Sequence, residues 1–215
     1  IPLTYSLREG SGVTTKLRIC GNSSFKSGPN VSLNNCMIPG PKYLNNMEGI
    51  LLRFRVANQI ALGDIKNCYH KIKSCPRDAS LRRIFIKPDG MNSDSDWKEA
   101  CFDTVSFGDV LGGATAQAAI SDCSDRFMSA PTRDIVQNSI YMDDLLLGAD
   151  EDIDKKIKEV DSSLQQGDFI IKSWTKTGDP VDTKCLSYTY HAETDKFSLR
   201  PKINWSPKRR GVRKA

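Results

Sequence analysis

Tyr141-Met142-Asp143-Asp144 stands between the apolar Ile140 and the run Leu145-Leu146-Leu147. Ionised carboxylates do not enter apolar surroundings without a cation or donors to compensate them. Two adjacent acids between strand-like apolar stretches therefore read as a hairpin tip that offers them to a metal. Asp is also common in tight turns, and a plain surface hairpin is the alternative. A third acid, Asp64, closes the apolar stretch Ala61-Leu62-Gly63-Asp64-Ile65, with Tyr69 shortly after; alone it reads equally well as a helix N-cap or turn acid. Two strands that each deliver carboxylates at one end can jointly hold divalent cations. Magnesium takes few carboxylates, keeps water and shares the phosphates of a substrate. Two such ions align an attacking hydroxyl and a leaving pyrophosphate for in-line displacement.

The elements that must position these acids follow from apolar periodicity. Gln59–Ile65 reads as a buried strand leading to Asp64, and residues 139–147 as the acid-bearing hairpin. Asp150–Gln166 is the clearest helix: Ile153, Ile157, Val160 and Leu164 form one stripe, acids fill the first turn and Gly167 stops it. That acidic turn lacks the central Gly and distal Glu of a calcium loop. A second helix is expected over residues 112–128, with Ala114, Ala118, Cys123 and Phe127 near helical spacing. Residues 49–56 could be helical with Leu51, Leu52 and Phe54 inward, and a short helix is expected near residues 41–47. Residues 81–87 and 97–105 read as a hairpin, 169–171 as a strand, and 186–190 with 196–200 as a second hairpin through Thr194-Asp195. Helices and antiparallel strands in this order make the fold class α+β.

The chain has 215 residues, 39% hydrophobic and 27% charged, enough to bury a core in one large or two small domains. A net charge of +5 permits an anionic partner without requiring one. Seven scattered cysteines without a Cys-x-x-Cys pair, and only two histidines (His70 and His191), argue against zinc and against a disulfide framework. Reduced, intracellular thiols are expected. No Gly-x-Ser-x-Gly turn suggests a hydrolase, no apolar run is long enough to span a membrane, and no signal peptide is recognisable. The Ile1 start and the basic ending (Lys208, Arg209, Arg210, Arg213, Lys214) suggest a piece of a longer polypeptide.

Asp64-Ile65-Lys66-Asn67-Cys68-Tyr69, followed downstream by Tyr141-Met142-Asp143-Asp144, resembles the palm of a reverse transcriptase. The wider string is similar to the BEL/Pao group of LTR retrotransposons. The residues that carry this are Ser32-Leu33-Asn34-Asn35-Cys36, Gly40-Pro41, Leu51-Leu52-Arg53-Phe54-Arg55, Phe169-Ile170-Ile171-Lys172-Ser173-Trp174 and the basic ending after Trp205. The resemblance runs from about Lys16 onward. It implies a reverse-transcriptase-like palm, an antiparallel sheet packed on helices, with partial fingers. Residues 1–60 would be fingers and the link to the palm, and 61–215 palm. Within the palm fall a fingers excursion near 75–105 and a primer-grip-like hairpin near 185–200. Thumb, connection and RNase H domains would be absent.

By that resemblance the chain is an RNA-directed DNA polymerase core that transfers deoxynucleotides to a primer 3′-hydroxyl, and Asp64, Asp143 and Asp144 are its catalytic acids. Two Mg²⁺ ions, replaceable by Mn²⁺, would be held by these acids with the carbonyl of Ile65. Lys16 and Arg18 resemble the basic pair that grips the triphosphate, with Arg18 the better suited because a guanidinium holds phosphate oxygens at two points; solvated strand charges are the alternative. The backbone N–H groups of Asn67 and Cys68 would meet the triphosphate. Tyr69 matches the aromatic gate that rejects a 2′-hydroxyl, or else is an ordinary core tyrosine. Met142 and Phe107 belong to the same nucleotide-binding set, with Phe107-Gly108 matching the turn before a helix that packs on the template–nucleotide pair. Lys172 and Lys176 both stand where the group places a lysine near the pyrophosphate. Leu186, Ser187 and Tyr188 would grip the primer. The implied partners are an RNA or DNA template, a DNA primer and deoxynucleoside triphosphates, with no membrane. The implied location is intracellular, either particle-associated in the cytoplasm or nuclear.

The chain departs from the group at Gly21-Asn22, where an aromatic–Asp pair is usual, at Leu111-Gly112-Gly113 in place of a Ser-Pro stretch, and at Ser187 in place of glycine. No metal ligand is lost by these changes. They bear on nucleotide fit and helix geometry, so a second expectation stands beside the first: a non-catalytic relict that keeps the palm as a nucleic-acid-binding module, held by salt-sensitive phosphate contacts.

Overall fold

A computed structural model describes residues 1–7, 17–28, 30–89, 94–186 and 188–199. In chain order the elements begin with β1 (Leu3–Leu7), β2 (Leu17–Gly21), β3 (Lys26–Ser27), β4 (Val31–Ser32), α1 (Leu33–Cys36), α2 (Met47–Val56) and β5 (Gln59–Ile65). A 3₁₀ turn at Cys68–Lys71 leads to α3 (Pro76–Ala79), a second at Ser80–Arg82, then β6 (Arg83–Ile86) and β7 (Lys98–Cys101). There follow α4 (Gly112–Phe127), α5 (Ala130–Ser139), β8 (Ile140–Tyr141), β9 (Asp144–Ala149), α6 (Ile153–Gln166), β10 (Ile171–Lys176), β11 (Asp182–Cys185), β12 (Tyr188–His191) and β13 (Lys196–Leu199). The fold is α+β, with antiparallel sheets packed on helices.

The central sheet runs β10-β5-β9-β8, all antiparallel. Its two middle strands are apolar on both faces because both faces are covered. Ala61 and Ile65 of β5 and Leu145 and Leu147 of β9 join Ile120 of α4, Val136 of α5 and Ile153, Ile157, Val160 and Leu164 of α6 in one core. Ile60, Leu62 and Leu146 point the other way, into a second core with Ile50 and Phe54 of α2, Cys185 and Tyr190 of the β11-β12-β13 sheet, and Leu186, which follows β11. The period-2 alternation of a strand thus assigns each residue of β5 and β9 to one core or the other.

The β12–β13 hairpin is fastened as well as packed. The buried Tyr190 hydroxyl lies 3.1 Å from Thr177 Oγ1 and donates to Asp195 Oδ1 at 3.0 Å, and Arg55 Nη1 of α2 donates to the same carboxylate oxygen at 2.6 Å. Burial, with the Asp195 bond and charge behind it, pushes the Tyr190 phenol up to about 12, so the hydroxyl keeps its proton.

Several expected elements shift. The strand over Gln59–Ile65 and the helix stripe 153/157/160/164 stand as read, the helix starting at Ile153 because Asp152 caps it through the Asp154 and Lys155 N–H groups. The expected helix near residues 41–47 is absent: Asn46 instead caps α2, and the short helix lies at Leu33–Cys36, closed by a Ser32–Asn35 capping box. In α2 the buried residues are Ile50 and Phe54, spaced four apart, whereas Leu52 is 69% exposed. In α4 the core face is Ala116, Ile120 and Cys123, and Ala118 is exposed. The strand placed at 169–171 begins at Ile171 and runs to Lys176. Helix α5 and strand β11 were not expected. All seven cysteines are free. Among the described residues no helix is long and apolar enough to cross a membrane.

Candidate active site

Asp64 and Asp144 are direct cross-strand partners at the ends of β5 and β9, and the Ile65 N–H donates to the Asp143 carbonyl oxygen at 2.8 Å. Asp143 is the second residue of the two-residue loop that joins β8 to β9, with Tyr141 paired to Asp144 across it. Alternation puts Asp64 and Asp144 on the face that carries Ile60, Leu62 and Leu146. The acids therefore continue the face covered by α2 and the β11-β12-β13 sheet, at the end where that cover stops. The loop is strained: Met142, a non-glycine residue, sits at φ 57°. A positive φ at the first loop position suits the twist of a tight hairpin, and non-glycine residues held there concentrate at functional sites.

The three carboxylates act on each other and on everything near them. Burial, then the charges of Asp143 and Asp64, push Asp144 from an ordinary 3.8 up to about 6, against the opposing effect of a hydrogen bond from the Leu186 backbone. Burial and the same two acids push the Cys68 thiol up to about 12. Burial and Asp144 do the same to Cys185. Tyr69 is raised by burial, Asp143 and Cys68. The neighbours are thus held neutral around a concentration of negative charge, a donor set of hard oxygens suited to Mg²⁺ rather than to softer metals. As they stand, though, no group of three or more His, Cys, Asp or Glu among the described residues is arranged to hold a metal ion, so the acids are aligned at one sheet end without being closed into a site.

Beyond Asp64, Asn67 turns the chain out of β5 at φ 51° and starts the 3₁₀ turn that carries Cys68 and Tyr69. Cys68 is buried in the core, so its thiol is withdrawn from any ligand beside the acids. Likewise the Ile65 side chain lies in the core, leaving its carbonyl as the only oxygen it can offer. The Tyr69 ring meets Phe107 edge to face at 4.9 Å, and a Cβ on Gly112 would stand 3.1 Å from Tyr69 Cε1. Gly112, one of the departures from the resembled family, is thus the residue that lets α4 start against the tyrosine.

The two lysines separate. The register of β10 on β5 slips between Ile171, opposite Ile65, and Trp174, opposite Gly63, so a bulge of Lys172 and Ser173 faces Asp64. Lys172 is exposed there, whereas Lys176 pairs with Ala61 at the far end and is held by Asp154 at 2.8 Å. Gly63 is explained by the same pairing: a Cβ there would stand 2.8 Å from Trp174 Cζ3. Leu186, at φ 45°, touches the acids through its N–H to Asp144, and Tyr188 opens β12 beside it. Lys16 and Ser187 lie outside the described residues. Arg18 lies in β2 opposite Ser6, with its side chain likewise outside them.

No protein-family model matches the chain, and no curated protein is significantly similar to it.

Two arrangements escaped the sequence. One is a buried ion pair, Arg82–Asp109 at 2.8 Å, with Ser23 Oγ donating to the other Asp109 oxygen at 2.6 Å. The only hint was an acid directly after Phe107-Gly108; its partners are too distant in sequence to infer. The other is the row Asp182–His191–Ser198, with His191 Nδ1 2.9 Å from Asp182 and Nε2 2.8 Å from Ser198 Oγ. These residues alternate with the inward Thr183, Tyr190 and Phe197, so the row lies on the outer face of the sheet, and Asp182 is 59% exposed. The aspartate of a Ser-His-Asp triad works buried; this row reads as a cross-strand polar ladder.

Proposed function

We propose that the chain is the fingers-and-palm core of an RNA-directed DNA polymerase similar to those of BEL/Pao retrotransposons. The observation that carries this reading is the convergence of Asp64, Asp143 and Asp144 at one end of a two-faced antiparallel sheet, where Asp144 is driven up to about 6 by burial and by the other two acids. Such an array is under electrostatic strain until a cation joins it. Asp64, Asp143, Asp144 and the Ile65 carbonyl would hold two Mg²⁺ ions, which when bound supply the charge that activates the primer hydroxyl and neutralises the triphosphate.

The chain's own residues do the rest by position. Tyr69, backed by Phe107 and the start of α4, forms the wall beneath the incoming sugar. Lys172, opposite Asp64 on the bulge, stands on the side from which pyrophosphate leaves, whereas Lys176 is committed to Asp154. Leu186 ties the β11–β12 turn to Asp144, so the hairpin that would grip the primer end is registered to a metal-binding acid. The template, primer and nucleotide are the partners this geometry suits.

The test is Mn²⁺ binding followed by electron paramagnetic resonance, with and without a deoxynucleoside triphosphate. Wild type binds Mn²⁺ more tightly with the nucleotide present. Asp64→Asn and Asp143→Asn each lose that gain. Identical titrations for wild type and both variants would refute the proposal.

A further inference from the structure

We propose that Arg82 and Asp109 are positioning residues for the nucleotide side of this site, an inference that rests on the polymerase reading above. The pair is almost wholly enclosed, the Arg82 side chain being 5% exposed and that of Asp109 0%. A buried ion pair contributes little net stability over apolar residues of the same size. Here Arg82 Nη1 is also buried with no hydrogen-bond partner among the described residues, which adds a desolvation penalty. Geometry is what the pair supplies.

Asp109 stands where three parts of the fold meet. Its carboxylate receives Ser23 Oγ, just past β2, and Arg82 Nε, just before β6. Its carbonyl receives the Gly112 N–H at 3.0 Å and so fixes the first residue of α4, the glycine that lies against Tyr69. Two residues upstream, Phe107 meets Tyr69 edge to face. Asn34 closes the turn from the other side: its Nδ2 donates to the Gly108 carbonyl and its Oδ1 accepts the Val110 N–H, both at 2.9 Å. Gly108, at φ 108°, lies so close to the Gly21 carbonyl oxygen that a Cβ would run into it. This accounts for the glycine at 108, where the turn crosses the end of β2 with no room for a side chain; a Cβ on Gly21 would in turn stand 3.1 Å from Ser106 Oγ. The pair thus latches the β2 and β6 strands to the wall that carries Tyr69.

The experiment uses Asp109→Asn, the milder Ser23→Ala, and the apolar pair Arg82→Met with Asp109→Leu, which keeps the volume filled if the single variant does not fold. Thermal unfolding establishes which variants fold. NMR reads the Tyr69–Phe107 ring contact, and steady-state incorporation reads KM and kcat for the deoxynucleotide. The expected result is loss of the ring contact in Asp109→Asn and in the apolar pair. With it the KM rises about tenfold or more while kcat changes less, since small misplacements at a reacting site carry factors of this size; Ser23→Ala moves KM less. A ring contact retained in a folded Asp109→Asn or apolar-pair variant overturns the proposal, as does a lost contact with KM unmoved. If wild type itself incorporates nothing, the polymerase reading falls, and the ring contact alone still decides whether the pair positions this wall.

Discussion

Replacing Asp144 by Asn should stabilise the protein in the absence of divalent cations while destroying its proposed activity. The folded-state pKa of Asp144 is raised from an ordinary 3.8 to about 6. Between those values the native state binds more protons than the unfolded state, so stability falls as pH rises through that interval. The penalty is absent below about pH 4 and fully present above about pH 6. Two pKa units correspond to roughly 3 kcal/mol. The carboxylate retains some contact with water, so a gain of about 1–3 kcal/mol is expected at pH 7.5. Asparagine removes the charge and keeps a carbonyl oxygen for the Leu186 N–H. In a chain of this size that corresponds to a Tm higher by about 2–12 °C. Thermal unfolding with chelator at pH 7.5 and pH 4 reads the difference, which vanishes at the lower pH. Adding Mg²⁺ at pH 7.5 then raises the Tm of wild type more than that of the variant, because the cation relieves the repulsion that Asn has already removed. A variant less stable than wild type at pH 7.5, or an equal difference at both pH values, would refute the reasoning.

Met142→Gly relieves a positive φ in the hairpin loop at some cost in chain entropy, and calorimetry should show a net stabilisation of about 0.5–1 kcal/mol. Gly63→Ala pushes a methyl group into the Trp174 ring, and urea unfolding should register a loss of about 1–3 kcal/mol. Because Gly63 adjoins Asp64, that variant should also lose Mn²⁺ affinity. Tyr190→Phe removes the bonds to Thr177 and Asp195 that fasten the β12–β13 hairpin, and its Tm should fall by about 2–4 °C, corresponding to about 1 kcal/mol.

What could be read from the residues alone was whatever is local and periodic. The strand before Asp64 announces itself because Ile60, Ala61, Leu62 and Ile65 are apolar on both faces, and the stripe of α6 because Ile153, Ile157, Val160 and Leu164 repeat at helical spacing. The acid pair needed only its apolar flanks. Helix α5 escaped because its buried face is Thr132, Val136 and Ser139, too polar to register as a stripe. The inward face of α2 was misjudged at Leu52, since the consecutive apolar Ile50, Leu51 and Leu52 left the phase open and the packing against Tyr190 and Leu62 decided it. That Lys172 stands opposite Asp64 and Lys176 at the far end of the strand depends on a bulge, and a register slip has no signature in composition. Arg82, Asp109 and Ser23 come from separate stretches of chain, so only the fold brings them together.

The central claim is that Asp64, Asp143 and Asp144 transfer nucleotides. Its most direct test is primer extension on an RNA template with a DNA primer, at low salt with Mg²⁺ or Mn²⁺, running wild type beside Asp143→Ala. Extension by wild type and silence from Asp143→Ala is the predicted result. Extension that survives in Asp143→Ala, or no extension by wild type when primer–template binding is saturated, contradicts it.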